Sequence, residues 1–137
     1  TELIAELLED GELELPNEVA KVVTYHDPCF LGKQNDIYDE PRYIITRIPG
    51  VDFREFDRCR ERSLCCEGGG GKMWVESESK EERLAEVRVE DAKEMGAEVI
   101  AVACPFCLLT LEDATKVKGV DEEMVVMDIL ELLAEAL

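Results

Sequence analysis

Basic residues are scarce in this sequence. It contains 15 lysines and arginines against 33 aspartates and glutamates, which gives a formal net charge of −18 at pH 7. A surface with this charge repels the phosphates of nucleic acids and the headgroups of anionic membranes. We therefore expect neither a nucleic-acid partner nor direct binding to a lipid surface.

Long hydrophobic segments are also absent. The longest apolar stretch, residues 99–109, is interrupted by Pro105 and has about half of the ~20 residues that a membrane-spanning helix needs. The opening segment is acidic rather than basic, so no secretion signal is expected. We expect a cytoplasmic location without membrane insertion, with any membrane attachment made through a partner subunit. Because the chain begins with Thr1 rather than Met, we also expect a piece of something larger.

Apolar residues nevertheless make up 46% of the chain, which is enough for a hydrophobic core. Their spacing predicts strands that alternate with helices. The predicted strands are residues 22–25, 51–56, 99–103 and 124–127, and the predicted helices are residues 3–10, 39–48, 76–95, 105–111 and 129–137. This order predicts an α/β fold with an open, mostly parallel sheet and flanking helices. We expect one domain over residues 1–137, in which residues 1–20 form an N-terminal helix and lead-in.

Capping residues mark several of the predicted helix ends. Asp39 is expected to cap the second helix and Asp128 the last one, since aspartate is favoured at this position. The long charged helix is expected to turn Leu84, Val87 and Ala92 towards the core.

The sequence has six cysteines, which include a vicinal pair and a Cys-x-x-Cys motif: Cys29, Cys59, Cys65, Cys66, Cys104 and Cys107. Without an expected export signal, this spacing favours metal or redox chemistry over a disulfide scaffold. All six follow predicted strands. Because the carboxyl ends of parallel strands meet at one edge, where ligands of open α/β sheets bind, we expect five of the thiols to converge there.

Thiolates are soft ligands that suit zinc or an iron–sulfur cluster. A structural zinc ion takes four ligands, and five thiols are equally well placed here, which is one more than zinc needs. A cluster of several irons can use all of them. Residues 68–71 are glycines, which allow the backbone to approach a bulky inorganic group and to direct N–H groups towards sulfur.

Three motifs give the chain a family resemblance: His26-Asp27-Pro28-Cys29, Cys65-Cys66 followed by glycines, and Cys104-Pro105-Phe106-Cys107. From residue 21 onwards the chain resembles the cysteine-rich CCG domain of heterodisulfide reductase B- and D-type subunits and related Fe–S oxidoreductases. The resemblance implies a non-cubane [4Fe-4S] cluster as cofactor and an electron-transfer role beside other redox subunits or domains of the same complex. The implied cluster ligands are Cys29, Cys65, Cys66, Cys104 and Cys107.

The chain departs from the family pattern in two respects. Glu67 stands where the family usually has glycine, so a position with positive φ would be strained. The chain also carries one such module where family members usually have two. Cys59 lies outside the motif, and we expect it to be a free thiol that metal binding does not require.

Several alternatives remain open at this point. The thiols could hold zinc in a redox-silent structural or interaction module, or Cys104 and Cys107 could act directly in thiol–disulfide exchange. His26, the single histidine, either tunes a cluster or serves only in packing and hydrogen bonding. No residue is assigned a catalytic role.

Overall fold

The structure of the protein is a computed structural model that describes residues 1–74 and 82–137. Strands and helices alternate along these two ranges. The strands are β1 (Val22–Tyr25), β2 (Asp52–Phe53), β3 (Val99–Val102) and β4 (Val125–Asp128). The helices are α1 (Glu2–Glu9), α2 (Asp39–Arg47), α3 (Leu84–Glu94), α4 (Pro105–Lys118) and α5 (Ile129–Ala134).

The sheet has the strand order β2-β1-β3-β4, and every neighbouring pair is parallel. In the register, Ile100 on β3 lies opposite Thr24 of β1 on one side and Val126 of β4 on the other. Each residue of β3 is buried, as expected of a central apolar strand that is covered on both faces. The predicted open, parallel α/β fold is therefore confirmed.

Two hydrophobic clusters cover the two faces of the sheet. Val99 and Ala101 of β3 point into the first cluster, to which α1, α2 and α5 contribute. Ile100 and Val102 point into the second cluster, with α3 and α4. This alternation follows from the two-residue period of a strand, and it leaves the carboxyl ends of the strands free to carry a site.

The edge strand β2 is shorter than predicted. After Phe53, the Arg54 amide still donates to the Val23 carbonyl at 2.8 Å, but the chain then leaves the sheet. The Glu55 carboxylate turns to Arg42 on α2, and Phe56 is buried in the second cluster. These side-chain contacts take the place of further strand pairing.

Helix α3 differs from its prediction in both its start and its buried face. It begins at Leu84, and residues 76–81, which were predicted to be helical, lie outside the described ranges. Leu84 is exposed and Val87 is half-buried, whereas Ala92 is buried as predicted. The remaining buried positions are Ala85, Arg88 and Val89. The inward face was misjudged because a fully buried arginine looks like a surface residue in a hydrophobicity pattern.

The two predicted aspartate caps have different outcomes. Asp39 is the first residue of α2 rather than its cap, and its carboxylate instead accepts a hydrogen bond from Arg60 at 2.6 Å. Asp128 does cap α5, because its Oδ1 accepts from the Leu130 amide and the Glu131 carboxylate accepts from the Asp128 amide, both at 2.9 Å. In the ranges that the structure describes, no helix is long and apolar enough to cross a bilayer.

We predict that Asp128→Ala lowers the free energy of unfolding by about 1 kcal/mol, because it removes the side-chain acceptor at the start of α5. The measurement is chemical denaturation followed by circular dichroism. Asp121→Ala, at an exposed aspartate, is the control and should change the free energy by less than about 0.5 kcal/mol. Equal losses in the two variants would contradict the assigned cap.

Candidate metal centre

The cysteines occupy the carboxyl edge of the sheet at different depths. Cys66 and Cys107 are buried, Cys59 and Cys104 are half-buried, and Cys29 and Cys65 are exposed. Cys29 follows β1 at the start of a short helical turn, and Cys104 follows β3 as the residue before α4. The parallel strands therefore bring the sequence motifs to one edge, as predicted.

The closest thiols belong to motifs that are far apart in the sequence. The sulfur atoms of Cys66 and Cys107 lie 3.3 Å apart. The Gly68 amide donates to the Cys66 sulfur at 3.4 Å, and the Glu67 amide donates to the Cys65 sulfur at 3.3 Å. The loop after the vicinal pair thus directs consecutive backbone N–H groups at sulfur, an arrangement that favours thiolates.

The two buried thiols, Cys66 and Cys107, have pKa values that are shifted in opposite directions. The hydrogen bond with Cys107, together with contacts from His26 and the Gly68 amide, lowers the pKa of Cys66 to about 3. The same hydrogen bond raises the pKa of Cys107, and burial and the negative charges of Cys66 and Cys104 act in the same direction. Cys66 is therefore the more acidic thiol of the pair.

His26 joins this pair from the end of β1. Its side chain is 1% exposed, and one ring nitrogen and the sulfurs of Cys66 and Cys107 lie within 4.8 Å of one another. Burial lowers the pKa of His26 below its usual value, since a charged imidazole would be poorly solvated here. His26 is therefore a neutral, polar neighbour of the thiols and not simply a packing residue.

A buried ion pair fixes the backbone around this centre. The Asp27 carboxylate accepts hydrogen bonds from both terminal nitrogens of Arg42, at 2.7 and 2.8 Å. It also accepts the Arg60 amide at 2.7 Å, while Glu55 binds Arg42 Nε at 2.7 Å. One carboxylate thereby ties the end of β1 to α2 and to the loop that leads to Cys65.

Glu67 lies in the left-handed region, with φ of 64°, so the position does require the conformation that glycine adopts most easily. Its carboxylate is used structurally. It accepts the Leu84 amide at the start of α3 at 2.8 Å and forms an ion pair with Lys72. The adjacent Gly68 has little room, since a Cβ atom there would lie 2.8 Å from the Phe106 carbonyl oxygen.

The loop before Cys65 carries several arginines, and two of them already have polar partners within the domain. Arg58 binds the Asp91 carboxylate, with a shortest distance of 2.7 Å, and Arg62 donates to the Asp57 carbonyl at 3.1 Å. Cys59 packs at the margin of the second hydrophobic cluster.

The residue that sequence reasoning missed is Arg88, which is fully buried beside His26. A charged residue at an inward position of α3 would have been the only signal for it.

This parallel α/β sheet with thiols at its carboxyl edge defines a cysteine-rich α/β domain. The chain belongs to the CCG family of cysteine-rich domains, which matches residues 23–112. The predicted family is therefore confirmed. No solved structure matches the chain.

Several curated relatives carry redox names. A Bacillus subtilis (strain 168) protein named as a probable iron–sulfur-binding oxidoreductase, FadF, is 41% identical over 99% of this chain and 19% of its own length. The D-type subunit of the dihydromethanophenazine:CoB–CoM heterodisulfide reductase of Methanosarcina barkeri (strain Fusaro / DSM 804) is 40% identical over 100% of the chain and 33% of its own length. The EtfAB:quinone oxidoreductase of Syntrophomonas wolfei subsp. wolfei (strain DSM 2245B / Goettingen) is 34% identical over 100% of the chain and 20% of its own length. The chain thus spans a third or less of these relatives.

We predict that Asp27→Ala lowers the free energy of unfolding of the metal-free protein by about 3 kcal/mol, because it leaves Arg42 buried with half of its partners missing. Denaturant titration measures this loss. Asp52→Ala breaks the ion pair with Arg54, whose side chains are 56% and 44% exposed, and should cost less than about 1 kcal/mol. Similar costs for the two variants would show that the Asp27 pair does not hold the edge together.

We also predict that mild oxidation of the metal-free protein with diamide joins Cys66 to Cys107, because their sulfurs are already in contact and the pKa of Cys66 is lowered. Peptide mapping by mass spectrometry identifies the bond. A Cys107→Ser variant should lose this product. Preferential pairing of Cys104 with Cys107, the neighbours in sequence, would contradict the geometry.

Proposed function

We propose that this chain holds an iron–sulfur cluster and passes single electrons within a larger oxidoreductase. The observation that carries the proposal is the meeting of Cys66 with Cys107 at the carboxyl edge, where Cys104 and the exposed Cys29 and Cys65 also follow strand ends or their loops. Relatives with iron–sulfur and reductase names support it.

The donor set fits such a cluster. Soft thiolates suit iron and sulfide, and backbone N–H groups at Glu67 and Gly68 already point at the sulfurs of Cys65 and Cys66. The proposed ligands are Cys29, Cys65, Cys66, Cys104 and Cys107. When bound, the cluster supplies one-electron chemistry, and by family resemblance we propose the non-cubane [4Fe-4S] type. Two of the proposed ligands, Cys29 and Cys65, are exposed at the surface of the domain.

The proposed partners are other redox subunits or domains of the same complex, because the curated relatives are several times longer than this chain. Unpaired cysteines at the surface suit a reducing compartment, so we propose a cytoplasmic location. Any contact with a membrane would then be made through a partner subunit. The electron donor and the electron acceptor would be among those partners.

A redox-silent zinc module is the second candidate. One observation favours it, since His26, Cys66 and Cys107 are all buried and offer ligand atoms within 4.8 Å of one another. A single zinc ion with tetrahedral geometry could take these three and one further thiolate. In that case only one of Cys29, Cys65 and Cys104 would be needed as a ligand.

Anaerobic reconstitution separates the two candidates. We expect the protein to turn brown with iron and sulfide and to retain both in comparable amounts after desalting. A colourless protein that excludes iron but binds one equivalent of zinc would overturn the proposed cluster and leave the zinc module.

We predict that Cys104→Ser reduces the iron retained after reconstitution by more than half, whereas Cys59→Ser retains the wild-type amount. Cys59 lies outside the motif, whereas Cys104 belongs to it. Both cysteines are half-buried and pack at the margin of the second hydrophobic cluster, so the two variants are a matched pair. Iron quantitation on folded, desalted protein provides the readout. A loss in Cys59→Ser as large as in Cys104→Ser would show that Cys59 is a ligand.

A further inference from the structure

Arg88 is a buried cation that lacks part of its set of hydrogen-bond acceptors among the described residues. Its side chain is fully buried on α3, and its guanidinium carbon lies 3.5 Å from the centre of the Phe56 ring. Nη2 donates to the Ser63 hydroxyl at 3.1 Å. Among the described residues Nη1 has no hydrogen-bond acceptor, and the Asp91 carboxylate oxygen is 3.9 Å away.

Burying such a charge is costly unless negative charge nearby stabilises it. Burial lowers the pKa of Arg88 to about 10, which still leaves the guanidinium charged at neutral pH. No carboxylate makes a close pair with it in the described part of the chain. The negative groups that act on Arg88 at longer range are Asp91, Asp27 and Cys59, while its direct polar contacts are with Ser63 and His26.

The contact between Arg88 and His26 determines which ring nitrogen carries the proton. Arg88 Nε lies 3.3 Å from His26 Nδ1. Because an arginine nitrogen can only donate, Nδ1 must accept and is therefore unprotonated. An imidazole ring without a proton on Nδ1 carries its single N–H proton on Nε2. This is the nitrogen left for the sulfurs, and the ring shares a 4.8 Å cluster with Cys66 and Cys107.

We propose that Arg88 is a positioning residue that fixes His26 as the Nε2–H tautomer and directs this N–H at the Cys66 sulfur. His26 then acts as a hydrogen-bond donor to a thiolate and not as a metal ligand. The consequence for the bound group rests on the proposed function: a hydrogen bond to a ligating thiolate stabilises the reduced cluster and raises its reduction potential.

The tautomer can be measured without any cluster. His26 is the only histidine, so the imidazole signals in ¹⁵N-labelled, metal-free protein are unambiguous. Long-range ¹H–¹⁵N spectra should show one neutral ring protonated at Nε2. In Arg88→Met, which keeps a long apolar side chain against Phe56, the signals should shift towards a mixture of tautomers. A wild-type ring protonated at Nδ1 would overturn the proposal.

Arg58→Met is the matched control, since Arg58 is an arginine of the same region that binds Asp91 and is 40% exposed. It removes the same charge without a hydrogen bond to His26, so the tautomer should stay as in the wild type. An equal effect of both arginine variants would show that charge alone, and not the contact with Nδ1, determines the tautomer, and would overturn the positioning role.

The second measurement is the midpoint potential of the reconstituted protein. Loss of the N–H in His26→Leu should shift the equilibrium between oxidised and reduced cluster about tenfold towards the oxidised form, which is about 59 mV lower for one electron. His26→Gln, which retains an amide N–H, should recover most of this shift. Unchanged potentials in His26→Leu would overturn the hydrogen bond. If the protein binds no iron at all, the proposed function fails, and the tautomer in metal-free protein still decides the role of Arg88.

Discussion

The buried ion pair between Asp27 and Arg42 is the interaction on which the carboxyl edge depends. Asp27 lies two residues beyond β1 and two before Cys29, and it binds both Arg42 and the Arg60 amide. A strand, a helix and the loop that approaches Cys65 are thereby held to one carboxylate. The convergence of the thiols is a property of the parallel sheet, but their relative depth and spacing depend on this pair.

The site contains two buried arginines whose pKa values are shifted in opposite directions. Arg42 binds two carboxylates, and although burial lowers its pKa, the hydrogen bonds that it donates to Asp27 and Glu55 raise the pKa above its usual value. Arg88 has no such partner close by, and burial lowers its pKa. A charge that carboxylates already neutralise can act only as a structural tie. Arg88, whose nearest carboxylate oxygen is 3.9 Å away, instead directs Nε at His26, and His26 lies beside the thiols of Cys66 and Cys107.

Much of the fold and part of the site could be predicted from the sequence. Four apolar strands separated by helices determine the parallel sheet, and the strand ends determine where the cysteines go. The role of Arg88 could not be predicted, because hydrophobic periodicity treats an arginine as a surface residue. The contact between Cys66 and Cys107 was also out of reach, since it depends on how the glycine loop packs against α4. Sequence patterns locate side chains along the chain, but not the rotation of one element against another.

Glu67 shows how a departure from the family pattern can be tolerated. A residue other than glycine with positive φ costs about 1–3 kcal/mol. Its carboxylate accepts the first amide of α3, and a cap of this kind contributes about 0.5–2 kcal/mol, with a further ~0.3–1 kcal/mol from a negative charge at a helix N-terminus. The two effects are of similar size, so glutamate is nearly neutral for stability where glycine would be unstrained but uncapped. The Glu67 carboxylate also links the loop after the vicinal cysteines to α3. Since α3 carries Arg88, the loop that directs amides at Cys65 and Cys66 and the helix that orients His26 are connected through a single carboxylate.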